Sequence, residues 1–309
     1  MSVRKAPPVA QTPNPLYMLA FDHRQVLRDL YPAATAQELE AAKVAVLESL
    51  ESLRGSVAVQ ESLAFLVDEE YGAAAARLAR ARGLYVAMPI EASRTTILQL
   101  QYPDDYEERF ERFDPQAVKA LVFHNPADDA ERKKAQLQLL QKIGQFAREQ
   151  GRDYLLEVLI SPTPEQLEQG GGDKNGFRTT LFPRLLVESI AEMQDHGIEP
   201  DIWKIEGLDT VEDTAAVAAQ ATADGRDGVR CIVLGSGESP EKVHTWLANA
   251  SAVPTFSGFA IGRTIWHRPL ADLLAGRASH DAAVEAMARS FVELISAFGR
   301  EPASVSMEA

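Results

Sequence analysis

Short apolar runs alternate with longer stretches of helical periodicity eight times along this chain. The runs fall at residues 16–22, 64–67, 84–90, 118–124, 154–160, 202–206, 231–235 and 258–261, each of strand length. Between them the apolar positions recur at helical spacing and are bounded by capping residues. Thr35 and Glu38 form a capping-box pattern ahead of a stripe made of Leu39, Ala42, Val46, Leu50 and Leu53. Asp128 or Asp129 can open a helix carrying Leu139, Ile143 and Phe146. Leu185, Leu186, Ile190 and Met193 mark another, closed by His196 and Gly197. Ser239-Pro240 reads as an N-cap followed by a first-turn proline, and a last helix spans residues 281–298.

Strands that alternate with helices pair in parallel through right-handed crossovers. Eight such units favour a single-domain α/β fold, the (β/α)8 TIM barrel, over an open sheet. The first strand is not followed by a glycine fingerprint for a dinucleotide, which an open nucleotide-binding sheet would place there. The expected organisation is a polar, proline-rich leader at 1–14, a barrel over 15–298 and a short tail at 299–309.

Composition narrows the range of partners. The 309 residues are 46% hydrophobic and 25% charged, which is ordinary for a globular chain, and the formal net charge is −14. An acidic chain has no basic footprint for nucleic acid or an anionic membrane surface, although a few local donors can still hold a small anion. The single cysteine, Cys231, lies inside an apolar strand and reads as a packing residue. It rules out disulfides within the chain and a cysteine metal cluster. The N-terminal residues lack the apolar segment of a signal peptide, and no apolar run approaches the roughly 20 residues of a membrane span. A soluble, cytoplasmic protein is expected, with self-association possible.

In a barrel of this kind chemistry sits at the C-terminal ends of the strands, so the polar residues there are the candidates. The first strand ends in Asp22-His23-Arg24, the second in Asp68, the third in Glu91 and the fourth in His124-Asn125. Glu157 interrupts the leucines of the fifth strand, and the sixth carries Lys204 and Glu206. Because side chains alternate, Lys204 and Glu206 share one face while Trp203 and Ile205 share the other. The bulky pair should face the helices and leave Lys204 inside. Desolvation lowers a lysine pKa and makes the amine a nucleophile toward carbonyls. Spacing leaves a second reading open, a structural ion pair of Lys204 with Glu157 or Glu206. Glu157 is correspondingly either a proton shuttle or that partner. Asp22 can handle a substrate hydroxyl, while Arg24 can bind an anion or brace Asp22. Asp68 and Glu91 can line the site or cap the helices that follow them. His124 reads as a hydrogen-bonded rim residue.

The turn Gly235-Ser236-Gly237, placed just before a helix, has the character of a phosphate cradle, and Gly262-Arg263 follows the eighth strand. Barrels frequently hold phosphate on the loops after strands seven and eight. Arg94 reads as a surface or helix-start residue. Residues 169–176 read as a flexible loop whose Lys174 is solvated, gates the cavity or contacts an anion.

Taken in order, Phe-Asp22-His-Arg24, Val-Asp68-Glu-Glu-Tyr-Gly72, Leu-Leu-Glu157, Trp-Lys204-Ile-Glu206 and Ile-Gly262-Arg263-Thr-Ile-Trp266 resemble a class I aldolase superfamily. That group includes tagatose-1,6-bisphosphate and sulfofructosephosphate aldolases. The resemblance is greatest to the 2-deoxy-5-keto-D-gluconate-6-phosphate aldolase domain of myo-inositol catabolism, and it spans roughly residues 15–298. It implies that Lys204 forms the Schiff base and that Glu157 transfers protons beside it. It also implies that Asp22 and Arg24 line the cavity, and that Gly235, Ser236, Gly237, Gly262 and Arg263 hold phosphate. Asp68, Glu91 and Glu206 remain substrate-binding candidates. The expected reaction yields dihydroxyacetone phosphate and malonate semialdehyde with neither metal nor cofactor, since the iminium is the electron sink. The alternatives are another phosphoketose aldolase or a non-catalytic metabolite-binding barrel.

Overall fold

A computed structural model describes residues 14–55 and 62–299. Most of the leader expected at residues 1–14, and the tail beyond residue 299, lie outside the described residues. Eight strands run in sequence order around a closed parallel barrel. They are β1 (Leu16–Phe21), β2 (Leu63–Val67), β3 (Tyr85–Pro89), β4 (Ala117–Phe123), β5 (Asp153–Leu159), β6 (Ile202–Glu206), β7 (Arg230–Leu234) and β8 (Phe256–Ile261). Closure comes from pairing of β1 with β8. Barrel and helices together define a (β/α)8 fold, as the alternation in the sequence predicts.

The helices are α1 (Gln25–Leu30), α2 (Ala36–Glu51), α3 (Ala73–Ala81), α4 (Tyr106–Phe113), α5 (Ala130–Glu149), α6 (Pro164–Gln169), α7 (Lys174–Thr180), α8 (Phe182–Asp195), α9 (Val211–Ala221), α10 (Pro240–Ser251), α11 (Arg263–Leu274) and α12 (His280–Ala297). Their boundaries follow local chemistry. Thr35 and Glu38 form the reciprocal capping box that opens α2, and the Asp129 carboxylate accepts from the backbone of Glu131 and Arg132 at the start of α5. Ser239 caps α10 with Pro240 in its first turn, and Gly197 takes the left-handed conformation after α8.

Residues 169–176 are not one continuous loop: helix α6 runs into Gln169, residues 170–173 form a turn, and Asp173 caps α7, accepting from the Gly176 amide at 2.8 Å. Helices α6 and α7 are an extra helical excursion between β5 and α8. The glycines that suggested mobility instead let Gly170 and Phe177 pack backbone to backbone.

Side-chain alternation sorts the core into two shells. Phe21, Phe65, Val67, Trp203, Ile205 and Phe259 face outward against the helices. The opposite parity fills the barrel with Leu16, Met18, Ala20, Ala64, Leu66, Ala87, Ala117, Leu155, Ile202, Ile232 and Ala260. Cys231 belongs to the outer shell, where burial pushes its thiol well above the usual range. Among the described residues no helix is long and apolar enough to cross a membrane.

Candidate active site at the C-terminal mouth

The inward parity that supplies the aliphatic plug continues upward into charge. On β4 it passes from Ala117 to Lys119, on β5 from Leu155 to Glu157, and on β6 from Ile202 to Lys204. On β1 it reaches Asp22, and beyond β3 it reaches Glu91. Strand register sets Glu157 directly beside Lys204. The Lys204 ammonium lies 2.8 Å from Glu157 Oε2 and is only 5% exposed.

Lys119 organises the cluster. Its ammonium is 2.9 Å from Asp22 Oδ2, 2.6 Å from Glu91 Oε1 and 2.9 Å from Glu157 Oε2. It donates hydrogen bonds to Asp22 and Glu91, and Glu157 adds a third anion as an ion pair. Burial alone would lower its pKa, but the three anions outweigh that and raise it well above the ordinary lysine value. The carboxylates respond differently. Burial would raise Asp22, yet Lys119 and Lys204 hold it far below the usual carboxylate range. Glu157 is likewise lowered, its burial overcome by the same two lysines. At Glu91 burial prevails over Lys119 and Arg24, and the carboxyl is raised.

Other residues singled out in the sequence have different surroundings. Arg24 does not touch Asp22; its guanidinium donates to the Glu91 carbonyl at 2.8 Å and to Gln101 at 3.3 Å, bracing the end of β3. Asp68 meets Lys43 from α2 and accepts the Tyr71 amide at 2.9 Å, which turns the chain toward α3. Glu206 accepts from Arg178 of α7 at 2.5 Å, and the same guanidinium reaches the Gly207 carbonyl at 2.8 Å. Asp68 and Glu206 are thus engaged by cations from the surrounding helices, and substrate would have to displace those contacts to use them. His124 is buried and bonded to Glu192 of α8 at 2.9 Å. Arg94 pairs with Asp29 at the surface.

The loops after β7 and β8 do converge. Ser236 and Gly237 both adopt positive φ, 49° and 78°, and Arg263 donates to the Ser236 carbonyl at 3.1 Å. A Cβ at Gly237 would lie 2.6 Å from the Arg263 guanidinium. At Gly262 it would lie 2.1 Å from the Ala20 carbonyl, so β8 and β1 can close only without a side chain there. Gly235 precedes this turn, and α11 begins at Arg263, a helix N-terminus of the kind that can hold an anion.

The reading of strand-end residues missed Lys119, although it stands in an apolar run at inward parity just as Lys204 does. It also passed over His23. That ring lies edge-on to Trp266, 5.1 Å between centroids, with Nδ1 3.9 Å from Asp22. Burial, with Lys43, Arg263 and Lys204 nearby, drops its pKa to about 4 against the pull of Asp22.

Fold and mouth together define a (β/α)8 barrel with an ionic cluster at the C-terminal ends of its strands. The chain belongs to the family described as "Uncharacterized protein conserved in bacteria (DUF2090)", which it matches over residues 2–301. No match was found among curated protein sequences. Among solved structures it is similar to the Cgl0159 protein from Corynebacterium glutamicum. The identity is 15% and the TM-score 0.54, covering 90% of this chain and 86% of that one. It is also similar to a fructose-bisphosphate aldolase from Slackia heliotrinireducens, with 12% identity and a TM-score of 0.55, covering 88% and 85%. At such identities the likeness establishes the shared fold.

Proposed function

We propose that the protein is a class I aldolase that cleaves a phosphorylated keto-sugar through a Schiff base on Lys204, with 2-deoxy-5-keto-D-gluconate 6-phosphate as substrate. The observation that carries this reading is the unequal treatment of the two buried lysines. Lys119 is ion-paired with three carboxylates and fixed as an ammonium, whereas Lys204 has one acidic partner, Glu157, at 2.8 Å. A nucleophilic amine must give up its proton, and Lys204 has a single acceptor in place to take it. The ordered sequence motifs and the aldolase among the structural neighbours point the same way.

In this reaction Lys204 passes a proton to Glu157, and its nitrogen forms a bond to the C5 carbonyl carbon. The carbonyl oxygen is protonated and leaves as water, giving an iminium. Asp22, kept ionised by Lys119 and Lys204, receives the C3 hydroxyl proton. The C3–C4 bond breaks, and its electron pair moves into the iminium to give an enamine, releasing malonate semialdehyde. Protonation at C4 and hydrolysis return Lys204 and release dihydroxyacetone phosphate. Lys119 balances the anionic charge throughout. The phosphate is held by Arg263, the Ser236–Gly237 turn and the amides opening α11.

The test is a side-by-side assay of 2-deoxy-5-keto-gluconate 6-phosphate, tagatose 1,6-bisphosphate and sulfofructose phosphate, following release of the three-carbon product. The first should be cleaved fastest, and Lys204→Met should lower its turnover at least about 10³-fold, some 4 kcal/mol of barrier. Preferential cleavage of another substrate would overturn the assignment of the sugar. Unchanged turnover in Lys204→Met would overturn the Schiff base.

A further inference from the structure

Helix α2 packs its apolar face on the barrel, and in the middle of that face lies a lysine. Lys43 is fully buried, and its charge takes no part in the chemistry described above. Its ammonium donates to the Phe21 carbonyl at 2.5 Å, to the His23 carbonyl at 3.0 Å and to the Asp68 carboxylate. All three protons are used. The Phe21 ring lies 4.5 Å from the same nitrogen. A lysine placed here must overcome desolvation, and burial does lower its pKa, with Asp68 opposing. A leucine would complete this helix face at less cost if only packing were required.

The two carbonyls belong to the residues immediately before and after Asp22. Holding both prevents the backbone at Asp22 from turning, so the carboxylate stays within 2.9 Å of Lys119. We propose that Lys43 is a positioning residue for the aldol site, fixing Asp22 through the peptide that precedes it and the peptide that follows His23. This inference rests on the aldolase reading above. The same cation has a second effect, because its field adds to those of Arg263 and Lys204 in keeping His23 uncharged beside Asp22 and Trp266. Lys43 therefore sets the direction of Asp22 and adds to the burial that keeps His23 uncharged, both from outside the cavity.

The experiment uses full-length Lys43→Met and Lys43→Gln, with folding checked by circular dichroism. Glutamine is included because its amide can still donate to the carbonyls. In Lys43→Met kcat should fall about 10²-fold, the loss expected when a reacting group is misplaced by roughly 1 Å. KM should stay within about threefold, and borohydride with substrate should still label Lys204 stoichiometrically. Lys43→Gln should recover about tenfold of that loss. His23, titrated by NMR, should move upward from about 4 in both variants. Wild-type kcat in either folded variant overturns the proposal, as does parallel loss of turnover and labelling. If Lys43→Met does not fold, Lys43→Gln decides alone on the same criteria. A wild-type enzyme that gives no borohydride adduct would sink the aldolase reading instead. A crystal structure of the variant needs no turnover and would then decide this one, an Asp22 carboxylate unmoved from Lys119 overturning it.

Discussion

The lower and upper halves of the barrel interior are built on the same strands with the same side-chain parity. Their chemistry is nonetheless opposite. Below, Met18, Leu66, Leu155, Ile202 and Ile232 fill the lumen as a dry plug. Above, Asp22, Glu91, Lys119, Glu157 and Lys204 occupy it with charge. One step of two residues along β5 or β6 crosses the boundary. Burial of the plug stabilises the fold at about 25 cal/mol per Å2 of apolar surface, whereas each ion above carries a desolvation penalty that only its partners offset. The lower half holds the strands in place, and the upper half is where the fold accepts an unfavourable arrangement, the one the proposed chemistry uses.

Removing the hub of the upper half should have the largest effect on stability. Lys119→Met leaves three buried carboxylates without their shared cation, and should destabilise by about 3–5 kcal/mol in urea unfolding at neutral pH. Near-wild-type stability there would mean that the cluster is not an interdependent network. In the lower half, Ile202→Ala should cost about 2–5 kcal/mol through the space it opens, with the fraction of Lys204 trapped by borohydride unchanged in folded protein. A loss of trapping out of proportion to stability would show that the two halves are not separable.

The boundary can also be probed by pH. The folded pKa of His23, about 4, lies below its ordinary 6.5, so between those values the unfolded chain binds more protons. Stability from this residue is fully present above pH 6.5 and is lost as the pH falls toward 4, by up to about 3 kcal/mol. His23→Gln should flatten that part of the profile. The depressed carboxylates Asp22 and Glu157 add their own loss only below their unfolded values, near pH 4. A profile that is unaltered in His23→Gln would contradict the burial described for this ring. The smallest stability change is expected for Gly237→Ala, about 1 kcal/mol for a side chain at φ 78°. The crowded Arg263 should make its effect on KM larger, about tenfold for a phosphorylated substrate. An unchanged KM would remove this turn from the phosphate site.

Periodicity made the barrel legible, because a strand's alternation and a helix's stripe are local properties. The eight runs and the caps at Thr35, Asp129 and Ser239 all appear as the residues indicate. Lys204 and Glu157 stood out because each interrupts an apolar run at inward parity. Lys119 carries the same signal and was legible in principle. What the sequence concealed was partnership. Arg24 braces β3 through the Glu91 carbonyl, Asp68 meets Lys43 of α2, and Glu206 meets Arg178 of α7. These contacts join positions 25 to 67 residues apart, and local spacing says nothing about them. The glycine-rich run at 169–176 misled for a related reason, since Gly170 and Gly176 serve close packing between α6 and α7 while Gly171 and Gly172 take positive φ in the turn.

The account depends most on which buried lysine is the nucleophile. Sodium borohydride reduction in the presence of dihydroxyacetone phosphate, followed by peptide mapping, distinguishes them directly. The account predicts one reduced three-carbon adduct per chain, on the peptide containing Lys204. An adduct on Lys119, or no adduct at all, would contradict it.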